Sequence, residues 1–223
     1  MIATGAPPRD PRRLVIVGQE PVASLAAAIG AAARGTDRVR VVPLTPDRIA
    51  DFDAGQLASE PPDSTDAFAA IGLSALNYAR YDLWAKLRLA GYRCAPLVHP
   101  AAQVDASASL GDNVLVGPMA AVEPDAALGP GSILNAGAIV GSSARIGAWC
   151  WLARGTIVGA GCAVGDHVVL GSGVELADHT IFPGPGEIDV PGAYRGSYPA
   201  GTFRAPEFPD PVRLYGVAGA ARR

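Results

Sequence analysis

Lysine is nearly absent: Lys86 stands alone among 18 basic residues, the others all being arginine. Charge of either sign is thin, at 17% of the chain against roughly 25% in an average soluble domain. With a net charge of −3 at pH 7 there is no basic surface for a phosphate backbone, and no nucleic-acid partner is expected. Cys94, Cys150 and Cys162 are odd in number and lack metal-ligand spacing, which argues against a disulfide framework. Only His99, His167 and His179 carry imidazole, and no pair of them has a zinc-binding spacing, so no metal is expected. No apolar run approaches the ~20 residues needed to cross a bilayer, and MIATGAPPRDPRR does not lead into a secretory h-region. The expectation is a cytoplasmic protein with no membrane partner.

Glycine and proline, by contrast, are abundant, at 27 and 20 residues. That composition reads as disorder unless the glycines are periodic. They are. From Val104 an aliphatic residue returns every six positions, through Leu110, Val116, Val122, Leu128, Leu134, Val140, Ile146, Leu152, Val158, Val164 and Leu170 to Leu176, with Phe182 on the next beat. The residue after each is usually Gly or Asn, and four positions after each comes a compact residue such as Ala138, Cys150 or Thr156. A six-residue period is neither helical nor an alternating strand. It fits a parallel β-helix in which three hexads close one triangular coil of 18 residues, large and compact residues both pointing inward. Cys150 and Cys162 fall on the compact inward position and read as small core residues rather than nucleophiles. Four coils are expected over residues 104–181, with Val140 and Val158 stacked.

Ahead of the repeat, LVIVG at Leu14–Gly18 reads as a buried strand and VASLAAAIGAAARG as a helix after it. VRVVPL and DAFAAIG read as further strands, and SALNYARYDLWAKLRLAGY as a second helix stopping at Gly91. This order predicts a small parallel α/β unit over residues 12–96, a β-helix over 97–182 and an extended Pro/Gly-rich arm over 183–223. Tyr194, Arg195, Tyr198 and Arg204 are candidate ligand contacts in that arm, weighed against plain packing. The first turn, Gly18-Gln19-Glu20-Pro21, has one glycine and an acid, a poor cradle for a phosphate.

RRLVIVG, AIGLSALNYARYDLWAKLRLAGYRCAPLVHPAAQV, the hexads and NAGAIV at Asn135–Val140 together resemble the NeuD/PglD-like sugar O- and N-acyltransferases over residues 13–181. The resemblance implies a Rossmann-like α/β unit followed by a left-handed parallel β-helix of hexapeptide repeats. It implies a homotrimer with clefts between subunits, and acyl transfer from acetyl-CoA or another acyl-CoA (or acyl carrier protein) to an amine or hydroxyl of a small-molecule acceptor such as a sugar nucleotide. Asn135 matches the family's asparagine. Seven residues on, where the family keeps a histidine as general base, stands Ser142, and the flanking acids are Gly141 and Ser143. A serine hydroxyl accepts no proton near neutral pH unless something activates it. The catalytic candidates are therefore Ser142 and, reaching across a trimer interface, His167; the substrate-binding candidates are Asn135 and Ser143. His179 lies on the same corner as Ser143 two coils on, about 10 Å along the axis, and His99 reads as structural. A non-catalytic trimeric scaffold, or a different reaction in the inherited cleft, is the alternative.

Overall fold

A computed structural model describes residues 12–45, 48–73, 75–208 and 210–214. The opening residues read above as free of a leader, and the last nine of the expected arm, lie outside the described residues.

The first three apolar runs form a parallel sheet: β1 (Arg13–Gly18), β2 (Val39–Pro43) and β3 (Thr65–Ala70), in the order β2-β1-β3. Helix α1 (Val22–Arg34) links β1 to β2, and α2 (Tyr78–Leu89) follows β3. The second helix starts two residues later than its apolar spacing suggests, because Leu76 and Asn77 take left-handed backbone angles. Two α-helices and three strands make an α/β unit smaller than a complete doubly wound domain. At Gly18 a Cβ would lie 2.0 Å from the Ala70 carbonyl oxygen, so this glycine lets β1 run close beside β3.

The amino end of the sheet is held by one buried carboxylate. Asp66 has no exposed side-chain surface and accepts from Arg12 at 2.7 Å, Arg34 at 2.9 Å and Arg93 at 2.7 Å. Burial pushes its carboxyl up, but the hydrogen bonds from Arg93, Arg34 and Arg12 outweigh that and hold it below its ordinary value.

The hexads form a parallel β-solenoid with three flat sides. Its first side stacks Leu97–Val98, Leu115–Val116, Ile133–Leu134, Trp151–Leu152 and Val168–Leu170. The second stacks six strands from Gln103–Val104 to Gly192–Tyr194, which sets the length at about six coils. The third runs from Ser109–Leu110 to Ile181–Phe182. Val140 pairs directly with Val158, as the 18-residue coil requires. The inward aliphatics and compact residues, including Cys150 and Cys162, form one continuous core. Burial pushes the Cys150 thiol up to about 12, and both thiols point at carbonyl oxygens, so they are core residues.

The solenoid does not stop at Phe182. Residues 183–204, expected as an extended arm, add Gly186–Ile188 and Gly192–Tyr194 in parallel register, and Thr202–Arg204 beyond them. The physical reason is visible in the core: Ile188 and Tyr194 keep the six-residue beat after Phe182, while the prolines between them sit in corners and do not remove ladder donors. Val212–Arg213 then turns back antiparallel against Thr202–Phe203.

The α/β unit lies against the first side of the solenoid. There the outward positions Leu97, Leu115 and Ile133 are buried with Leu14, Ile16, Ala26, Ile29 and Phe68, and Trp151 packs at the margin. One corner column, Asn113, Gly131, Trp149 and His167, makes the polar contacts. The Asn113 amide accepts from the Ala69 N–H and donates to its carbonyl. Arg80, fully buried, donates to the carbonyls of Gly131, Ile71 and Cys150. Asn77 donates to the Trp149 carbonyl at 2.8 Å, and the Trp149 ring meets Tyr81 and Trp84 edge-on. His167 stacks on Tyr78 with ring centroids 3.9 Å apart, its Nδ1 lying 2.9 Å from the Leu76 carbonyl oxygen.

Replacing Asp66→Asn leaves three arginines around a neutral group and is expected to cost about 3 kcal/mol in denaturant unfolding. Because the folded-state value of Asp66 is depressed, its contribution is complete above the ordinary 3.8 and is lost as pH falls toward the lower folded value. Acid unfolding of the wild type should show that loss, and the Asp66→Asn variant should lack it.

Candidate active site

The residues singled out in the sequence lie on all three corners of the solenoid, and the structure does not bring them together in one chain. Asn135 opens the corner between the first and second sides; Ser142 and Ser143 form the corner between the second and third. The strand Ile139–Val140 separates them. His167 stands on the remaining corner, in the docking column.

Asn135 donates through Nδ2 to the Leu152 carbonyl at 2.8 Å, which fixes the amide plane and leaves Oδ1 without a partner among the described residues. It lines a cleft of about 400 Å³ between the start of α1 (Pro21, Val22, Leu25) and the solenoid (Trp151, Arg154). This cleft joins an apolar wall to an exposed guanidinium and an amide acceptor, the pattern of a small-molecule site. The neighbouring turn, Gly18-Gln19-Glu20-Pro21, edges a second cleft of about 360 Å³ at the carboxyl ends of β1 and β2. Glu20 is its charged lining residue, and the Ala23 amide beside it is already bonded to the Gln19 carbonyl, so the turn is a poor place for an anion.

At the serine corner the structure supplies a residue that sequence reasoning missed. Glu123, one coil earlier, accepts with Oε2 from both the Ser142 hydroxyl and the Ser142 amide, each at 2.9 Å. A carboxylate is therefore hydrogen-bonded to Ser142, one of the two catalytic candidates read from the sequence. The signal was available: in a coil of 18 residues, position 123 stacks under 141, so VEPD comes to lie beside VGSS. Ser143 is exposed, in left-handed backbone conformation, and its amide donates to the Pro124 carbonyl.

His179 belongs to the same corner. Its backbone lies two coils above Ser143, as the count requires, but its ring folds back over Gly161, where a Cβ would approach Nδ1 to 2.5 Å. Gly161 thus does two things at once: it takes φ +64° and it leaves room for the imidazole one coil nearer to Ser142 than the backbone spacing suggests. His99 accepts the Ala101 amide at its Nδ1 and shapes a turn. Among the described residues no group of three or more His, Cys, Asp and Glu side chains has metal-binding geometry, and no helix is long and apolar enough to cross a membrane.

With this geometry in hand, comparison with known proteins places the fold. A family model described as the GMPPB C-terminal domain matches residues 94–183, less than half of the chain. No curated protein matches. Among solved structures, the acetyltransferase domain of PglB from Neisseria gonorrhoeae, in complex with acetyl coenzyme A, superposes with a TM-score of 0.70 at 18% identity, covering 92% of this chain and 100% of that one. PerB from Caulobacter crescentus, in complex with CoA and GDP-perosamine, gives 0.60 at 22% identity over 87% and 95% of the two chains. WeeI from Acinetobacter baumannii gives 0.56 at 11% identity over 91% and 100%. At these identities the likeness is one of fold, and it extends over the α/β unit and the solenoid together.

Gly161→Ala puts a side chain at positive φ and under the His179 ring. It is expected to lower stability by about 1–2 kcal/mol from backbone strain alone. It should also move the His179 imidazole resonances in proton–nitrogen NMR while leaving those of His99 in place.

Proposed function

We propose that this chain transfers an acyl group from acyl-CoA to an amine or hydroxyl of a sugar nucleotide or similar small acceptor, at the serine corner of a left-handed hexapeptide β-helix. The observation that carries the reading is the Glu123–Ser142 pair, a carboxylate presented at the place where related enzymes keep an imidazole. The similar fold of acetyltransferases crystallised with CoA supports the donor, and the cleft beside Asn135 supports a small acceptor.

In this reading the acceptor nitrogen or oxygen attacks the thioester carbonyl, the C–S bond breaks, and the acceptor's proton passes to the carboxylate of Glu123 and finally to the departing thiolate. Ser142 orients that carboxylate by donating its hydroxyl and amide, and is not itself the proton acceptor. A carboxylate is a weaker base than imidazole, so positioning of donor and acceptor must supply more of the rate. Asn135 holds acceptor or donor through its free Oδ1 on its own corner, and Ser143 offers a hydroxyl beside Ser142 on the serine corner. His167 is assigned to docking of the α/β unit, because Leu76 and Tyr78 engage its ring from the same chain. The proposed assembly is a homotrimer in which the serine corner of one subunit meets a neighbour.

Glu123→Gln should lower kcat by roughly a hundredfold with little change in stability. Ser142→Ala should cost less than about tenfold, Asn135→Ala should act mainly on KM, and His167→Ala should lower the melting temperature without removing a limb of the pH–rate profile. If His167→Ala abolishes the acid limb and Glu123→Gln is silent, the base is His167 supplied across an interface. A wild type that neither binds CoA nor transfers an acyl group supports a scaffold. Sedimentation as a 22.7 kDa monomer at micromolar concentration argues against any site shared between subunits.

A further inference from the structure

The cleft beside Asn135 has two unlike walls. Pro21, Val22 and Leu25 at the start of α1, and Trp151 on the solenoid, give it apolar surface. The rest is a polar ladder on one corner of the solenoid: Asn135, then Arg154 on the next coil, then Ser172 on the coil after that. Successive coils are roughly 5 Å apart along the axis. One small molecule can therefore touch two rungs of the ladder and the apolar wall together.

The ladder carries one positive charge. Arg154 is exposed and makes no ion pair among the described residues, and no carboxylate lines the cleft. Arg12, Arg34 and Arg93, by contrast, all engage Asp66. The Asn135 Nδ2 is held by the Leu152 carbonyl, so the amide presents Oδ1 to the cleft as an acceptor. A planar guanidinium gives paired donors that match a carboxylate, and an amide oxygen takes an N–H or O–H. A diphosphate asks for more, namely several cations or a nest of free amides. Here Pro21 has no amide hydrogen, the Gln19 N–H is bonded to the Ala70 carbonyl, and the Ala23 N–H to the Gln19 carbonyl. Glu20, beside Pro21, adds a negative charge in the adjoining cleft.

We infer that this cleft binds a small organic carboxylate with an apolar body and a free amine or hydroxyl, and not a nucleotide. The carboxylate pairs with Arg154, the body lies against Leu25 and Trp151, and the amine or hydroxyl donates to the Asn135 Oδ1. Binding of this ligand stands apart from any reaction. Its role as the acyl acceptor rests on the acyl-transfer reading, which it narrows to a non-nucleotide substrate. In that role its nitrogen or oxygen faces the serine corner of a neighbouring subunit in the proposed homotrimer. That atom bonds to the acyl carbon as the C–S bond breaks, and its proton goes to the carboxylate at that corner and then to the thiolate.

Calorimetry on the full chain with para-aminobenzoate, aniline, acetate and UDP tests the inference without relying on turnover. Para-aminobenzoate should bind at least about tenfold more tightly than aniline, which lacks the carboxylate, and than acetate, which lacks the apolar body. UDP should not compete with it, and its affinity should fall as salt rises. Arg154→Gln alters an exposed side chain, so circular dichroism should not change. The variant should bring para-aminobenzoate to the affinity of aniline and leave aniline as it was. Tighter binding of UDP, no binding of para-aminobenzoate, or an Arg154→Gln variant that binds it like the wild type overturns the inference. Para-aminobenzoate that binds but is never acetylated from acetyl-CoA leaves the cleft assignment standing and removes the acceptor role. Acetyl transfer to a nucleotide-linked amine with no binding of para-aminobenzoate does the reverse, so the two readings fail separately.

Discussion

The solenoid answers to one constraint: from Leu97 to Tyr194 each named strand pairs with the strand 18 residues later, in register, on each side of the prism. A slip of one residue would turn the inward aliphatics out and the polar outer face in. Because no slip occurs, the corners stack into three columns, and side chains 18 or 19 residues apart in sequence become neighbours. Glu123 meets Ser142, and His179 meets Gly161, for no other reason. The chemistry of such a protein is therefore read down a column, not along a segment. A motif written along the chain, such as Asn135 and Ser142, samples one point in each of two columns and misses the coils above and below.

The same constraint explains what the third histidine does. The docking column repeats Asn113, Gly131, Trp149 and His167 at 18-residue intervals, and every one of them touches the α/β unit. Arg80 shows how firmly that contact is made. It is a buried cation with no carboxylate beside it, and burial lowers its value to about 9. It stays protonated at neutral pH, and its hydrogen bonds to carbonyls of the solenoid and of the segment after β3 offset the desolvation. Fixing the unit this way sets the start of α1 against Trp151 and so shapes the cleft that Asn135 enters.

The solenoid was legible in the sequence because its signal is strict and repeated: aliphatic beats from Val104 to Leu176 and a glycine or asparagine behind most of them. Its last coil was not read, although Ile188 and Tyr194 keep time, because prolines in the intervening corners look like an arm when the beat is not counted through them. The α/β unit was legible in its strands and helices. Its place on the first side was also written, in the outward positions Leu97, Leu115, Ile133 and Trp151, which are large and apolar where Ser109, Ala127, Arg145 and Ala163 on the third side are small or charged. Asn135 and Ser142 were found as members of a motif. Their separation by a full side of the triangle was implied by the six-residue count.

Glu123 marks the limit of motif reading, and it also shows how two coils supply one corner. A corner position is a fixed scaffold point, and the coil below places another side chain about 5 Å away along the axis. A carboxylate on that lower coil reaches the hydroxyl and amide of the residue on the upper one. The corner at Ser142 is therefore not empty, because the column presents a second residue to it. Ser142 is small enough to let that carboxylate approach and polar enough to hold it with two hydrogen bonds. A larger apolar residue at 142 would have closed the space, and a glycine would have left the carboxylate with the amide alone. The serine is then best understood by what it holds rather than by what it replaces.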